Sequence, residues 1–377
     1  MSRPIQIAFL LDFFPFPENR DGATKIIGNI LNRLDPKKFQ ITIIQIGQSA
    51  EKSDLELLAD HFTYYHHQFK AKGTHPFMNK IKFLPINALN KGQISELNTT
   101  YKLNQFDIVH CSVLSFVLIG KENLKAVTSI NDSISRTYKA ATLKGKLKRW
   151  YYKKMEQKIS KLNKNLIVVS KLDAAQYQYS RCFVLANGLD TEIFKPLSTE
   201  QKKPGFVFHG ILDYHVNTSS IEYMSNLIKK AGVETKLHLV GRMNRPNRDE
   251  VIAQFNELKN CDLIGEVEDI SKAISQFEVY LCLMDSGAGI KNKLLEAMAS
   301  RMVVFTNSKA IEGLIHHDEV KKAVYIIENE QDLQLAIHDT DNWGDKSRLA
   351  YEYTIKHYSW DKYIQQLVAC YEKVLAD

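Results

Sequence analysis

The sequence predicts an α/β protein with two doubly wound domains, each built on a parallel sheet that helices cover on both faces. Its 377 residues exceed what one ordinary hydrophobic core accommodates. Short apolar runs rich in β-branched residues alternate with segments of helical length, which is the pattern of repeated βαβ units. These runs form two series, separated by a polar segment at 187–204 that contains two prolines and no strand pattern.

The two series of predicted strands define two domains. The first series lies at 5–11, 40–46, 107–111, 126–130, 165–169 and 182–186. The second lies at 205–210, 236–241, 261–265, 278–284, 302–306 and 323–327. We therefore predict an N-terminal domain at 1–190 and a C-terminal domain at 191–359. Residues 360–377 have apolar side chains at helical spacing and no strand after them. We expect them to form a helix that packs back on the N-terminal domain.

Composition favours a cytoplasmic protein. Hydrophobic residues make up 44% and charged residues 25%, as in soluble globular proteins. The longest apolar runs, such as 113–119, fall far short of the ~20 residues that span a bilayer. Asp12 interrupts the apolar run that begins at Ile7, which is typical of a buried strand and not of a signal peptide. The five cysteines lack any CxxC spacing, so we expect reduced thiols and no metal or disulfide framework.

Charge is divided unevenly along the chain. Residues 1–200 hold 29 Lys and Arg against 17 Asp and Glu, whereas residues 201–377 hold 21 against 26. A basic N-terminal half suggests an anionic partner, such as a phospholipid surface, a phosphorylated lipid acceptor or nucleic acid. The alternative is a surface kept basic for solubility.

The basic residues are densest at 144–164, where nine Lys and Arg and one Glu are interleaved with Trp150, Tyr151 and Tyr152. A basic helix with such aromatic residues can lie on the headgroups of an anionic membrane. The alternative is a solvated helix whose aromatic side chains pack on its own domain. Because no nucleic-acid-binding motif accompanies the segment, we expect no nucleic-acid partner.

The segment MDSGAGIKNKLLEAMASRMVV at 284–304 is the most informative for chemistry. A strand runs into a turn containing Gly287 and Gly289 and then into a helix, and open α/β sheets bind anions at such helix N-termini. Lys293 and Glu296 are three residues apart, so both project from one face of that helix. A cation there suits a diphosphate, and a carboxylate one turn on suits two ribose hydroxyls. A surface ion pair between the two is the alternative.

Together with VVFTNSKAIEGL at 303–314, the GAGIKNKLLEAMA segment resembles the donor-site motif of retaining glycosyltransferases of family 4, which have the GT-B fold. Further pieces follow in the family's order. They are FLLDFFPFPENRDGATK, FDIVHC, NLIVVSKLDA, FVLANGLDTEIFKP, FVFHGILDYHVNTSSIEYM, LHLVGR, LIGEVEDI and YSWDKY. The resemblance covers essentially the whole chain. It implies two Rossmann-like domains facing a central cleft, with the acceptor side in the first and the nucleotide-sugar site in the second.

The resemblance implies roles for matching donor-site residues. Lys293 would bind the diphosphate and Glu296 the ribose hydroxyls. The backbone around Gly289 and Ile290 would contact phosphate or sugar.

Other matching positions lie outside this segment. Gly22, at the start of the first helix, would lie against the donor phosphates, and residues near Val267 would frame the base. Arg242 would help to neutralise the diphosphate. Asn217 falls where the family places an asparagine at a helix start. The alternative for Asn217 is an N-cap for a helix at 218–229.

On the acceptor side, the segment TSINDSISR at 128–136 falls where the family often places a functional histidine. Asp132 would orient or polarise the acceptor there. The alternative is that Asp132 and Ser133 cap the following helix.

Several positions depart from the family pattern. Ala288 stands eight residues before Glu296, where the family usually has a second glutamate, although a subgroup with an AGIKNK core also lacks it. Arg301 and Val303 replace the usual glycine and proline, which leaves the turn there undefined. The basic pair after the first strand of the second domain is missing from GILDYHVN, and Asp-Gly-Ala replaces paired glycines at the first helix.

We therefore expect a glycosyltransferase that moves a sugar from a nucleoside diphosphate sugar to a saccharide or lipid-linked acceptor. The resemblance implies retention of configuration and a role in cell-surface glycan synthesis. The basic N-terminal half suggests a peripheral location at the inner face of the membrane. No DxD triplet or metal-ligand cluster occurs, so we expect no metal and no cofactor besides the nucleotide sugar. The departures leave open a GT-B protein that binds a nucleotide or a partner without catalysis. A nucleotide-sugar epimerase is a further alternative, against which the lack of acid and base residues around Glu296 argues.

Overall fold

The chain forms two compact α/β units. One comprises Met1–Gly188 and Trp360–Asp377, and the other Leu189–Ser359. The computed structural model describes residues 3–17, 22–47, 55–70, 72–112, 114–122, 125–130, 133–137, 142–197, 202–287 and 289–377.

The first unit is built on a seven-stranded parallel sheet with the strand order β3-β2-β1-β4-β5-β6-β7. Its strands are β1 Ile5–Leu11, β2 Phe39–Ile46, β3 Phe62–His67, β4 Ile108–Cys111, β5 Ala126–Ile130, β6 Asn165–Val168 and β7 Arg181–Val184. Its helices include α1 Gly22–Arg33, α2 Pro76–Ile81, α3 Lys91–Tyr101, α4 Ile119–Glu122, α5 Ile134–Thr137, α6 Leu143–Leu162 and α7 Lys171–Ala174. Short 3-10 turns occur at Leu103–Gln105 and Leu114–Phe116.

Both faces of this sheet are buried, as the apolar strand sequences predict. On β1, Ile7 and Phe9 belong to one hydrophobic cluster, whereas Ala8 and Leu10 belong to another on the opposite face. The sequence prediction missed β3. Its residues FTYYHH alternate between exposed and partly buried at the sheet edge, so the segment lacks the continuous apolar run of an inner strand.

The second unit is built on a six-stranded parallel sheet with the order β10-β9-β8-β11-β12-β13. Its strands are β8 Lys203–His209, β9 Leu237–Val240, β10 Cys261–Gly265, β11 Phe277–Cys282, β12 Val303–Thr306 and β13 Tyr325–Ile326. Its helices are α8 His215–Lys230, α9 Arg248–Glu257, α10 Ile270–Ser275, α11 Asn292–Ala299, α12 Ser308–Ile311, α13 His317–Ala323, α14 Glu330–His338 and α15 Trp343–Tyr358, with a 3-10 turn at Thr340–Asn342. Strands β9 and β10 follow β8 on one side of it, and the chain then returns to place β11 on the other side of β8. The strand order therefore reverses between β8 and β11, which is where doubly wound sheets bind ligands.

The last helix, α16 Trp360–Leu375, belongs to the first unit. Its buried stripe comprises Trp360, Tyr363, Leu367, Cys370, Tyr371 and Val374. The Tyr371 hydroxyl lies 2.6 Å from Nδ1 of His110 on β4, and His110 is fully buried. Burial lowers the pKa of His110 to about 3, so the ring is neutral at physiological pH. Within the described ranges, no helix combines the length and apolar character needed to cross a bilayer.

The turn after α11 is well defined, although the sequence departs there from the family's glycine. Arg301 N–H donates to the Met298 carbonyl and Met302 N–H to the Ala297 carbonyl, the two bonds of a Schellman motif. Arg301 therefore adopts φ of 54°, in the left-handed region that favours glycine.

We expect Arg301→Gly to raise the free energy of unfolding by about 1 kcal/mol, because the left-handed conformation costs a residue with a Cβ about that much. Urea denaturation measures the change. Arg301→Ala keeps the Cβ and should give no gain. A loss of stability in Arg301→Gly would contradict this account of the turn.

Candidate active site

The candidate site lies in the second unit, at the carboxyl ends of β8 and β11. Strand β8 ends at His209 and is followed by Gly210, and β11 leads through a loop into α11. This is the place where the strand order reverses. The predicted Lys293 and Glu296 lie in the first turns of α11, so the fold puts both at this edge.

Lys293 is held between the turn after β8 and an aromatic ring. Its Nζ donates to Oδ1 of Asn217 at 2.7 Å and lies 4.1 Å from the centroid of the Phe208 ring. Burial lowers the pKa of the Lys293 ammonium to about 8, although the nearby Glu296 acts in the opposite direction. A partly desolvated cation at this position interacts more strongly with an anionic ligand than an exposed one.

Glu296 is fixed by a buried histidine. Its Oε2 lies 2.8 Å from Nε2 of His209, and the Tyr280 hydroxyl lies 2.9 Å from Nδ1 of the same ring. Burial raises the pKa of Tyr280 well above its ordinary value, so the hydroxyl keeps its proton and can donate to Nδ1. The neutral ring protonated on Nε2 then satisfies both neighbours. Glu296 is therefore oriented by a chain of hydrogen bonds that ends in the core.

Lys293 and Glu296 are both partly buried and have different hydrogen-bond partners, which argues against the alternative of an exposed surface ion pair. The Glu296 side chain is only 12% exposed, and its short contact is with His209. Lys293 is partly buried and donates to Asn217. The two charged groups are held at one helix face by different partners.

Asn217 is not the N-cap that the sequence suggested. Helix α8 begins at His215, with Tyr214 as its N-cap residue, so Asn217 lies in the first turn. The helix begins three residues before the predicted start at 218, so the Asn217 side-chain amide makes other contacts. Its Nδ2 donates to the Ile211 carbonyl at 2.7 Å while its Oδ1 accepts from Lys293. Asn217 thus connects the lysine to the turn after β8.

Glycines allow the backbone to pack closely around the lysine. A Cβ on Gly210 would lie 2.8 Å from Nζ of Lys293, and Gly210 has φ of 152°. A Cβ on Gly241, which follows β9, would lie 1.9 Å from the Gly210 carbonyl oxygen. A side chain at Gly210 would displace the Lys293 ammonium, whereas one at Gly241 would collide with the backbone of Gly210 and displace this edge of the sheet.

The loop before α11 is held against the turn that follows α12. A Cβ on Gly313 would lie 2.4 Å from the carbonyl oxygen of Gly289, so the two backbones are in close contact. Gly289 has φ of 67°. The Ile290 side chain is buried, which leaves its backbone as the group that could face a ligand. Ala288 lies outside the described residues.

Arg242 and Val267 lie at the ends of the neighbouring strands. The Arg242 carbonyl accepts from Leu212 N–H at 3.0 Å, so the loop after β9 adjoins the turn after β8. Asp213 strengthens this junction by accepting from Arg245 N–H at 2.6 Å. Val267 follows β10, two strands from β8, and is partly buried.

The two site residues predicted in the first unit, Gly22 for the donor and Asp132 for the acceptor, stay predictions. Gly22 is the first residue of α1 in the first unit. Asp132 lies outside the described residues, so its predicted role has no structural test. Among the residues that the structure describes, no group of three or more His, Cys, Asp and Glu side chains could hold a metal ion.

The sequence analysis missed His209 and Tyr280. In FVFHG, a histidine stands directly before the glycine that ends the predicted strand, and a polar residue at the carboxyl end of an inner strand was a usable signal. Tyr280 lies in the middle of an apolar strand and gave no such signal.

Part of the second unit matches a known family model. Residues 203–340 match the family model for group 1 glycosyl transferases. Among curated proteins, none matches the chain with significant similarity.

The whole chain resembles several solved structures. Sucrose-phosphate synthase from Thermosynechococcus elongatus is similar with a TM-score of 0.72 and 14% identity, covering 99% of each chain. Anabaena HepE, solved in complex with UDP, has a TM-score of 0.67 and 13% identity, covering 98% of this chain and 100% of its own. A TarM variant from S. aureus, solved with fondaparinux, alpha-GlcNAc-glycerol and UDP, has a TM-score of 0.63 and 12% identity, covering 97% of this chain and 99% of its own.

The protein therefore has a two-domain, Rossmann-like GT-B fold. The match of residues 203–340 to the group 1 glycosyl transferase model and this fold together support a glycosyltransferase.

His209 provides a test of the site geometry. We expect His209→Phe to raise the KM for the donor about tenfold or more, because a hydrogen bond to a charged group contributes about 1.5–3 kcal/mol. The value of kcat should change less. His209→Gln keeps a hydrogen-bond donor near Glu296 and should restore part of the affinity for the nucleotide sugar. Equal KM values in the wild type and His209→Phe would show that Glu296 does not depend on this contact.

Proposed function

We propose that the protein transfers a sugar from a nucleoside diphosphate sugar to a saccharide or lipid-linked acceptor. We assign it to the family 4 retaining glycosyltransferases, in the subgroup with an AGIKNK-type donor motif. The observation that carries the proposal is the pairing of Lys293 with Asn217 and of Glu296 with His209 where the strand order reverses.

The diphosphate would bind at the start of α11. The helix dipole puts a partial positive charge at the N-terminus of α11, which begins at Asn292, and this favours an anion. Lys293 adds a positive charge beside this N-terminus. The backbone of Gly289 and Ile290 can approach a phosphate or sugar closely, and Arg242 would add charge from the neighbouring strand end.

The ribose would bind at Glu296. A carboxylate accepts hydrogen bonds from two vicinal hydroxyls. The His209 contact already orients the Glu296 side chain, so binding of the ribose costs less conformational entropy. Asn217 would act through the lysine, and residues near Val267 would frame the base.

In the transfer step the acceptor oxygen bonds to the anomeric carbon, the bond from that carbon to the diphosphate breaks, and the acceptor hydroxyl proton passes to the leaving diphosphate. Negative charge then gathers on the leaving diphosphate. Lys293 and the α11 N-terminus are suited to stabilise that charge without a metal ion, because their positions are set before the reaction. Retention of configuration, the donor contact of Gly22 and the acceptor role of Asp132 rest on the family resemblance.

We further propose that the protein acts in the cytoplasm, peripherally at the membrane, in the synthesis of a cell-surface glycan. The basic N-terminal half supports this location, since an anionic membrane attracts Lys and Arg side chains. The cell-surface role rests on the family resemblance.

The competing function is nucleotide binding without catalysis. It is favoured by Ala288 at the position of the family's second glutamate and by the missing basic pair in GILDYHVN. A thermal-shift and hydrolysis screen across UDP-, GDP-, ADP- and TDP-sugars separates the two. We expect one donor to be hydrolysed slowly when no acceptor is present, and its sugar to be transferred instead when a lipid-linked or saccharide acceptor is added. Stabilisation by a nucleotide with no turnover of any sugar would favour the non-catalytic alternative.

A further inference from the structure

Exposed hydrophobic side chains of the first unit are concentrated in two segments. Among the described residues they include Phe77, Met78, Ile81 and Ile86 near α2 and Leu143, Leu147 and Trp150 on α6. Leu143 is 75% exposed and Phe77 62%. We call these seven residues the apolar patch. Contiguous exposed apolar groups on a soluble domain indicate an interaction site.

The two segments adjoin one another. The rings of Phe83 and Trp150 meet edge to face with centroids 5.8 Å apart. The Tyr151 hydroxyl donates to the Lys80 carbonyl at 3.2 Å. On α6, the apolar residues at 143, 147 and 150 are spaced four and three apart, so they form one stripe along the helix.

The surroundings of the apolar patch carry positive charge. Helix α6 contains one acidic residue, Glu156, which is only 1% exposed and accepts from the Ser133 hydroxyl at 2.8 Å. The exposed charges of α6 are therefore all basic. They belong to Lys144, Lys146, Lys148, Arg149, Lys153, Lys154, Lys158 and Lys161. The segment 76–91 adds three lysines and no acidic residue.

We propose that this surface docks on a bilayer containing anionic phospholipid. Leu, Ile, Phe and Trp side chains would enter the boundary between headgroups and acyl chains, while lysines extend their ammonium groups to the phosphates. A single partner, the anionic bilayer, then contacts both the basic and the apolar side chains of this surface. This inference deepens the membrane location included in the proposed function by naming the surface and the lipid, and its test does not depend on sugar transfer.

Two other classes of partner fit the surface less well. Proteins that bind single-stranded nucleic acid stack bases on aromatic rings, and five of the seven patch residues are aliphatic. Protein–protein interfaces are depleted in lysine, which surrounds this patch.

Flotation of the full-length protein with lipid vesicles tests the proposal. We expect co-flotation with vesicles of phosphatidylcholine mixed with phosphatidylglycerol and little with phosphatidylcholine alone. Lys146→Gln combined with Lys153→Gln should weaken binding about 30-fold, since each basic residue near the surface contributes about fivefold to the partition coefficient. Leu147→Ser combined with Trp150→Ser should also weaken it. Leu335→Ser is the matched control, because Leu335 is 72% exposed in the second unit.

Tryptophan fluorescence gives an independent readout. The chain has three tryptophans, and Trp150 is 55% exposed whereas Trp360 is 3% exposed. Anionic vesicles should shift the emission to shorter wavelength in the wild type and not in Trp150→Phe.

Three results would overturn the proposal. The first is equal binding to neutral and anionic vesicles. The second is unchanged vesicle binding by both double variants, with melting temperatures showing that they are folded. The third is the absence of vesicle binding while polyuridylate binds through the same residues, which would make the surface a nucleic-acid site.

Discussion

Lys293→Met is expected to abolish donor binding and turnover while making the protein more stable. Removing the cation leaves the diphosphate without its main charge partner in the proposed site. Loss of one preorganised electrostatic contact to a developing charge costs about 100- to 1,000-fold in turnover. We expect at least that loss in Lys293→Met, measured as kcat/KM for the best donor.

The gain in stability follows from the depressed pKa of Lys293. Burial lowers that pKa to about 8, whereas a solvated lysine titrates near 10.5. The unfolded chain therefore binds the proton more tightly than the folded chain. Burial of the charge lowers the free energy of unfolding below about pH 8, and this loss is recovered as the pH rises from about 8 to 10.5. Methionine removes the penalty at neutral pH, and we expect the free energy of unfolding to rise by about 2 kcal/mol after the lost contacts are subtracted.

The pH dependence of donor binding gives a second readout of Lys293. Because the site needs the protonated lysine, donor affinity should fall as the pH rises through about 8. Lys230→Met is the matched control, since that side chain is 71% exposed in the same unit and should change neither property. Normal donor affinity in Lys293→Met would remove the lysine from the site.

Glu296→Gln is expected to reduce turnover at least about 100-fold through loss of the ribose contact, since a buried charged partner is replaced by a neutral amide. The amide has one acceptor oxygen instead of two, and its NH₂ group would face Nε2 of His209, which donates to the carboxylate. The donor's ribose would then lose both its charge partner and its oriented acceptor.

Ligand series distinguish the roles of the two residues. In the wild type, a 2′,3′-dideoxynucleoside diphosphate should bind more weakly than its ribose parent, and Glu296→Gln should remove this difference. Inorganic pyrophosphate should bind equally to the wild type and Glu296→Gln but more weakly to Lys293→Met. Glu330→Gln, at a position 41% exposed, is the control for loss of a carboxylate. Retained ribose discrimination in Glu296→Gln would contradict the assignment.

The sequence predicted the fold because local patterns determine most of it. Inner strands such as β1 and β11 are mostly apolar, and these could be placed within two residues. The edge strand Phe62–His67 was missed because its exposed and partly buried side chains alternate, so it lacks such an apolar run. At Arg301 the local sequence was a poor guide to the turn, because α11 ends in a Schellman motif although the residue there is not the favoured glycine.

The site could be predicted only where its residues lie close together in the sequence. Lys293 and Glu296 share one helix face, so their spacing was sufficient to pair them. His209 is 87 residues from Glu296, and its contact depends on β8 and β11 being neighbours in the sheet. Asn217 was misjudged for the same reason, because its partner Lys293 is 76 residues away. Such contacts follow from strand order and not from local periodicity.

The central claim is that one helix of the second unit binds the diphosphate through Lys293 and the ribose through Glu296. A crystal structure of the protein with the nucleoside diphosphate that stabilises it most tests this directly. The account predicts a diphosphate oxygen within hydrogen-bond distance of Nζ of Lys293 and the two ribose hydroxyls on the Glu296 carboxylate. A nucleotide bound elsewhere, or bound here with its ribose directed away from Glu296, would contradict it.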